Sequence, residues 1–162
     1  MNIVAVQTSL MPQTFMGGAI SDRGFISGLA ERGHKIHALL PEKKPYLVSE
    51  NITPYFYRHR LRNIPFLRYH SHHFDVALDL PKVLKTVGNV DWIRFNSPYS
   101  NGMGVYWATR GKYRLWASYH HFENNPYWNW IDSWLPAKCD LVTCVSEASR
   151  RDLLIHCPSM DP

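Results

Sequence analysis

The chain alternates short apolar runs with stretches in which apolar residues recur every three or four positions. The apolar runs predict six strands, at residues 3–6, 36–40, 52–57, 92–95, 115–119 and 141–145. Most of the intervening segments have helical spacing, and strands that alternate with helices are typical of right-handed βαβ crossovers. We therefore predict one α/β domain over residues 1–162: a Rossmann-like parallel sheet with helices on both faces.

The first crossover organises the predicted domain. A polar loop over residues 7–15 follows the first strand, and the adjacent glycines Gly17 and Gly18 come next. A helix is predicted to begin at Ser21, with Asp22 in its first turn, where the helix dipole favours a carboxylate. Taken alone, the glycine pair fits an ordinary turn and a ligand-binding loop equally well.

Glycine and proline mark the predicted element boundaries. Gly33 is placed to end the first helix in a left-handed conformation. Gly24 and Gly28 share a helix face and would allow close approach to the sheet or to a ligand. Pro54 predicts that the third strand lies at a sheet edge. Pro81 predicts that the helix after the third strand is kinked or restarts at this residue.

Polar residues follow four strands of the predicted sheet. They are Gly17-Gly18 after the first strand, Asn96-Ser97 after the fourth, His120-His121 after the fifth and Ser146-Glu147 after the sixth. Ser146 is also predicted to cap the last helix, which carries Glu147 and Arg150. Because the carboxyl ends of parallel strands meet at one edge, we expect these groups to converge there on a ligand.

The segment 58–73 combines four arginines and four histidines with Phe66 and Tyr69. As a long loop it fits two interpretations equally: a basic, aromatic surface for an anionic acceptor or lipid headgroups, and an ordinary solvated loop. His70, His72 and His73 are expected to lie in a loop with no carboxylate or cysteine nearby. We therefore expect no metal site there.

Composition narrows the class of protein. Hydrophobic residues make up 45% and charged residues 19% of the chain, which are values of a folded domain rather than a disordered one. The net charge of +5 favours anionic partners but is too small to indicate nucleic acid. Cys139, Cys144 and Cys157 cannot all pair and have no zinc spacing, which indicates a reducing compartment. Without a signal peptide or a membrane-spanning run, we expect a cytoplasmic protein with peripheral membrane contact through residues 58–73.

In order and spacing, these motifs resemble the amino-terminal half of the family-4 glycosyltransferases, which have the two-domain GT-B fold. The resemblance covers nearly the whole chain. It rests on Gly17-Gly18, Arg32-Gly33-His34, Asp91, Ser118-Tyr119-His120, Val145-Ser146-Glu147, Arg150 and Leu153. Two positions depart from the family pattern: Ala19-Ile20-Ser21 replaces the usual Ala-Glu-Arg, and His121 replaces the usual Asp.

The resemblance implies transfer of a sugar from a nucleotide-diphosphate sugar to an acceptor, with retention and without a cofactor or metal. It implies that His120 is catalytic, as a hydrogen-bond donor or proton relay. The substrate-binding residues would be Gly17, Gly18, Asn96, Ser97, His121, Ser146, Glu147 and Arg150.

The resemblance also implies partners. These are the sugar donor, a carbohydrate or lipid-linked acceptor, and a donor-binding C-terminal domain that this chain does not contain, so the isolated domain is expected to be inactive. A non-catalytic binding module or a subunit of a split transferase is the alternative. A dinucleotide-dependent oxidoreductase fits the fold, but Gly17-Gly18 is not a Gly-x-Gly-x-x-Gly motif.

Overall fold

The computed structural model describes residues 1–7, 10–12, 17–41, 46–61, 63–64, 71–96, 101–120 and 130–160. The strands are β1 (Asn2–Val6), β2 (Lys35–Pro41), β3 (Ile52–Tyr57), β4 (Trp92–Asn96), β5 (Leu115–Tyr119) and β6 (Leu141–Cys144). The helices are α1 (Gly17–Glu31), α2 (Ser71–Val87), α3 (Met103–Thr109) and α4 (Glu147–His156), with a 3₁₀ turn at Pro136–Lys138.

The six strands form one sheet in the order β3-β2-β1-β4-β5-β6, and every pairing in it is parallel. This confirms the predicted Rossmann-like sheet and places β3, with Pro54, at an edge as expected. The strand order reverses between β1 and β4. In such sheets the crevice at the carboxyl ends of the two central strands is where ligands bind.

Apolar side chains fill both faces of the sheet because successive residues of a strand point to opposite sides. The smaller layer lies under α1 and includes Ile3, Ala5, Ile26, Ile36 and Leu40. The larger layer packs α2 and α3 on the other face and includes Val6, Leu80, Leu84, Phe95 and Val105. Each fully buried aliphatic side chain contributes about 1.5–3 kcal/mol, so both layers stabilise the sheet that carries the site.

Helix α1 begins earlier than the sequence predicted. It starts at Gly17 rather than at Ser21, so Asp22 lies in its second turn. Asp22 is 1% exposed, and it shares a buried stripe with Ile26 and Ala30 at intervals of four residues. The reason is tertiary: this carboxylate has buried partners on the sheet, and they fix the helix more strongly than a cap at Ser21 would.

The expected close approach of Gly24 and Gly28 to the sheet is wrong. A Cβ atom at Gly24 would have no neighbour within 4 Å, and one at Gly28 would contact only the side chain of Arg32, at 3.2 Å. The two glycines therefore do not bring α1 close to the sheet. Gly33 ends the helix with φ +80°, as predicted.

Helix α2 also differs from expectation. It runs without interruption through Pro81 and begins at Ser71, so His72 and His73 belong to its first turn rather than to a loop. A carboxylate does lie close to these histidines, because Asp75 follows His72 and His73 on α2, and its Oδ2 lies 3.6 Å from Nδ1 of His59. Within the described ranges, no three potential ligands are grouped to hold a metal ion.

Candidate functional site

Asp22 lies at the centre of a buried polar cluster at the carboxyl edge of the sheet. Its Oδ1 accepts hydrogen bonds from Arg94 Nη2 at 2.7 Å and from His120 Nε2 at 3.2 Å. Its Oδ2 accepts from Asn96 Nδ2. Helix α1 thus meets the last residues of β4 and the residue after β5 at one carboxylate.

Gln7 completes this cluster from the end of β1. In the amide orientation that satisfies its neighbours, its Nε2 donates to Asp22 Oδ2 at 3.2 Å and its Oε1 accepts from Arg94 Nη1 at 2.6 Å. Gln7 is fully buried. Buried polar groups of this kind are costly unless paired, and here the carboxylate has four partners.

The electrostatics keep Asp22 ionised. Burial raises the pKa of Asp22, but the hydrogen bond from His120 and the charge of Arg94 outweigh burial and hold that pKa below its usual value. Arg94 is only 2% exposed. Its guanidinium lies 4.7 Å from the ring centre of Phe25 and 5.7 Å from that of Trp116. Both aromatic faces attract the buried cation.

His120 is the member of this cluster that lies beside Gly18. Its ring lies over Gly18, where an added Cβ atom would be 3.8 Å from both Cγ and Nδ1. An ionised Asp22 only accepts hydrogen bonds, so Nε2 of His120 carries the proton. In the neutral ring, Nδ1 is then left as the acceptor.

Helix α4 reaches the same edge through Ser146 and Ser149. Ser146 caps the helix as predicted, because its Oγ accepts from the backbone N–H of Ser149 at 3.1 Å. The hydroxyl of Ser149 donates to the carbonyl oxygen of His120 at 3.2 Å. The start of α4 therefore lies beside the backbone of His120.

The other two predicted residues of α4 lie elsewhere. Glu147 Oε1 and Arg150 Nη1 form an exposed ion pair at 3.1 Å. With Ser146 they line a cavity of about 670 Å³ whose other walls include Cys139 and Cys144. Gly18, Asn96 and His120 do not line this cavity, so the structure does not join Glu147 and Arg150 to the Asp22 cluster.

Three predicted residues come together, namely Gly18, Asn96 and His120. Asn96 uses its Nδ2 on Asp22, while its buried Oδ1 has no hydrogen-bond partner among the described residues. Gly17 is the exposed first residue of α1. Ser97 and His121 lie outside the described residues.

Sequence reasoning missed Gln7 and Arg94 and gave Asp22 the wrong role. Two signals point to Arg94 and Asp22. Arg94 is a charge between the apolar residues Ile93 and Phe95 of its strand, and Asp22 falls on the apolar stripe of its helix with Ile26 and Ala30. A cation and an anion that are both predicted to face a core require each other.

The fold is that of a Rossmann-like α/β domain with a buried polar cluster at the carboxyl edge of its parallel sheet. The chain matches the sequence profile of Glycosyltransferase Family 4 over residues 20–160. It belongs to this family, and its sheet is consistent with one half of a GT-B glycosyltransferase. Comparison with curated protein sequences gave no significant match. No helix within the described ranges is long and apolar enough to cross a membrane.

Proposed function

We propose that this domain forms the acceptor-side wall of the cleft of a glycosyltransferase that moves a sugar from a nucleotide-diphosphate sugar to an acceptor, with retention. One observation carries the proposal: Asp22 holds His120 beside Gly18 at the switch point of the sheet. Family membership supports the sugar-transfer chemistry.

The described groups suit a sugar hydroxyl. Nδ1 of His120 accepts a hydrogen bond from a hydroxyl in the neutral ring and donates one when protonated, so it can position that hydroxyl or relay its proton. The unpaired Oδ1 of Asn96 is a second acceptor at the same cluster. Gly17 and Gly18 leave the N–H groups of the first turn of α1 open to approach, and these favour anionic or electron-rich oxygens.

A second domain supplies the rest of the site in this proposal. Transfer from a nucleotide diphosphate requires stabilisation of the leaving phosphates and exclusion of water as well as a positioned hydroxyl. In this proposal the Asp22 cluster meets only the requirement for a positioned hydroxyl. We therefore propose that a donor-binding domain closes the cleft, that no metal or cofactor is required, that the isolated domain is inactive, and that the enzyme acts in the cytoplasm.

The test combines binding and transfer. In ¹H–¹⁵N spectra of the 162-residue chain, a nucleotide-diphosphate sugar is expected to shift the amides of Gly18, His120 and Ser149. With a donor-binding domain of the family supplied, His120→Gln should lower transfer by about 10²–10⁴-fold, the usual size for a general acid–base residue. His34→Gln is the control, because His34 lies just before β2, at the amino edge of the sheet.

Three results would contradict the proposal. They are amide shifts confined to the cavity beside Glu147 and Arg150, transfer unaffected by His120→Gln, and tighter binding of a nicotinamide dinucleotide than of any nucleotide sugar. A domain that binds sugars at Gly18 and His120 but never supports transfer would instead identify a non-catalytic binding module.

A further inference from the structure

An aromatic surface covers the outer side of α2 and α3. Its exposed members are Phe74 (36% exposed), Leu78 (55%), Trp107 (43%) and Trp130 (48%). The rings of Phe74 and Trp107 are in contact, with centroids 5.6 Å apart. Trp134 connects Trp130 to Tyr106 through centroid distances of 6.2 and 5.3 Å. We call the set Phe74, Leu78, Tyr106, Trp107 and Trp130 the aromatic surface.

The α2 members of this surface lie away from the core, whereas the partly buried Tyr106 also packs against it. Helix α2 already buries a complete apolar side, which includes Val76, Leu80, Val83 and Leu84, against the sheet. Phe74 and Leu78 lie on the opposite side of the helix, four residues apart. Single exposed apolar residues are common on proteins, whereas a connected group of large ones marks an interaction site.

Cations accompany the aromatic surface. Arg110 lines a surface cleft of about 410 Å³ together with Tyr106 and Trp107. Lys85 continues the exposed stripe of α2 seven residues after Leu78. In the part of the chain that the structure describes, neither Arg110 nor Lys85 has an acidic partner.

The same two helices carry only buried carboxylates. Helix α2 has two, Asp75 and Asp79, which are less than 10% exposed, and α3 has none. Asp79 binds Arg60 through two hydrogen bonds, at 2.7 and 2.9 Å. Arg60 is thereby engaged with the protein, so the described part of segment 58–73 presents fewer free cations to an anionic surface than the sequence suggested.

Arg110 also has an unfavourable backbone conformation. It ends α3 with φ 47°, in the left-handed region that favours glycine, and it is the one non-glycine residue of the described ranges with positive φ. Helices commonly end in this conformation, and the backbone N–H of Arg110 donates to the carbonyl oxygen of Tyr106. Arg110→Gly removes the charge and relaxes the backbone, so that variant is expected to fold.

We propose that the aromatic surface docks on an anionic lipid bilayer. Tryptophan and tyrosine rings favour the bilayer interface, and neighbouring Arg and Lys side chains bind lipid phosphates. The combination of exposed aromatics, unpaired cations and buried carboxylates fits a negatively charged, apolar partner. The proposal does not depend on sugar transfer.

Vesicle co-sedimentation of the full 162-residue chain tests it. We expect binding to vesicles of phosphatidylcholine mixed with phosphatidylglycerol, much weaker binding to phosphatidylcholine alone, and loss of binding at about 0.5 M salt. Arg110→Gln and Arg110→Gly should each weaken binding about fivefold, the size expected for one basic side chain at an anionic surface. Leu78→Ser should weaken it about tenfold or more.

Two matched controls lie on α4, away from the aromatic surface. Arg151→Gln removes an exposed cation, and Ile155→Ser removes an apolar side chain that is 73% exposed; both should bind vesicles like the unmodified chain. Equal binding to neutral vesicles, or equal effects of the α4 variants, would overturn the proposal. A dimer that Leu78→Ser dissociates in sedimentation velocity, without vesicle binding, would show that the surface binds protein instead.

Discussion

At the scale of single residues, Asp22 fixes the candidate site, because the buried Gln7, Arg94 and Asn96 and the partly buried His120 meet at its carboxylate. Arg94 neutralises its charge, while Gln7, Asn96 and His120 donate to its oxygens. Removing one partner of a buried charge pair leaves the other uncompensated, which costs far more than an exposed pair is worth. Asp22 is therefore a positioning residue: it acts on a ligand through His120.

Asp22→Asn tests this positioning role. The variant leaves Arg94 without its counter-ion and should lower the free energy of unfolding by about 3 kcal/mol. It should also release the His120 ring, because an amide can donate as well as accept and no longer fixes the proton on Nε2. Urea unfolding measures the first effect, and long-range ¹H–¹⁵N spectra of the imidazole measure the second.

The control for Asp22→Asn is Asp152→Asn, which makes the same chemical change on the exposed side of α4. It should alter neither quantity. An unchanged tautomer of His120 in Asp22→Asn would show that the carboxylate supports the fold without orienting the ring.

Replacing Asp75 is expected to raise the unfolding free energy, whereas replacing Asp22 is expected to lower it. Burial raises the pKa of Asp75 above the usual value, and the hydrogen bond from the Arg60 backbone and the nearby His59 and Arg60 charges do not offset it. A raised carboxyl pKa costs stability above that pKa, so the cost is present at pH 7 and absent below about pH 3.8. Asp75→Asn, which can still accept from the Arg60 N–H, should raise the unfolding free energy at pH 7 and not at pH 3. A lower value at pH 7 would show that the charge is stabilising.

The sequence predicted a residue's place best where the position of the backbone in the sheet alone determines it. His120, Asn96 and Gly18 follow from the rule that parallel strands present their carboxyl ends together. The partners Asp22 and Arg94 lie 72 residues apart, and only packing of α1 on β4 shows that they meet. Glu147 and Arg150 were predicted from the family resemblance and from their position after the sixth strand, and their ion pair with each other could not be read from the sequence.

At the scale of elements, the crossing of α2 and α3 depends on Gly104. A Cβ atom there would overlap the carbonyl oxygen of His73 and lie 2.9 Å from the carbonyl carbon. This contact is with backbone, which cannot turn aside as a side chain can. Sequence periodicity identified Gly24 and Gly28 as sharing a face but could not show what lies opposite them, which is why the wrong glycines were assigned to a close approach.

Gly104→Ala should force α2 and α3 apart and lower the unfolding free energy by about 1–3 kcal/mol, the usual cost of overpacking. Gly24→Ala is the matched control in α1. An added Cβ atom meets nothing there, so the higher helix propensity of alanine should leave stability unchanged or raise it by up to about 1 kcal/mol. Thermal unfolding of both variants separates the effects; equal shifts would show that the helix crossing tolerates the methyl group.

At the scale of the whole molecule, a lowered carboxyl pKa occurs on each side of the sheet. Asp22 lies on α1 at one face of the sheet, and Asp79 lies on α2 at the other face, where Arg60 and Lys82 bind it. Burial raises the pKa of Asp79, but these hydrogen bonds and the Arg60 charge outweigh it and hold that pKa below its usual value. The two carboxylates share no partner, so the sheet separates two independent acid-sensitive sites.

This arrangement predicts how the domain unfolds in acid. A carboxylate whose folded pKa is depressed contributes stability above its unfolded value of about 3.8, and the contribution is lost as pH falls below it. The unfolding free energy should therefore decline steeply between about pH 4 and pH 2. Asp22→Asn and Asp79→Asn should each flatten that decline, and the double variant should flatten it by the sum of the two, because distant sites without shared partners are additive. Urea unfolding across this pH range measures the slopes, and Asp152→Asn should leave the slope unchanged. A double variant no flatter than either single one would mean that the two faces of the sheet lose their structure together on protonation of one carboxylate.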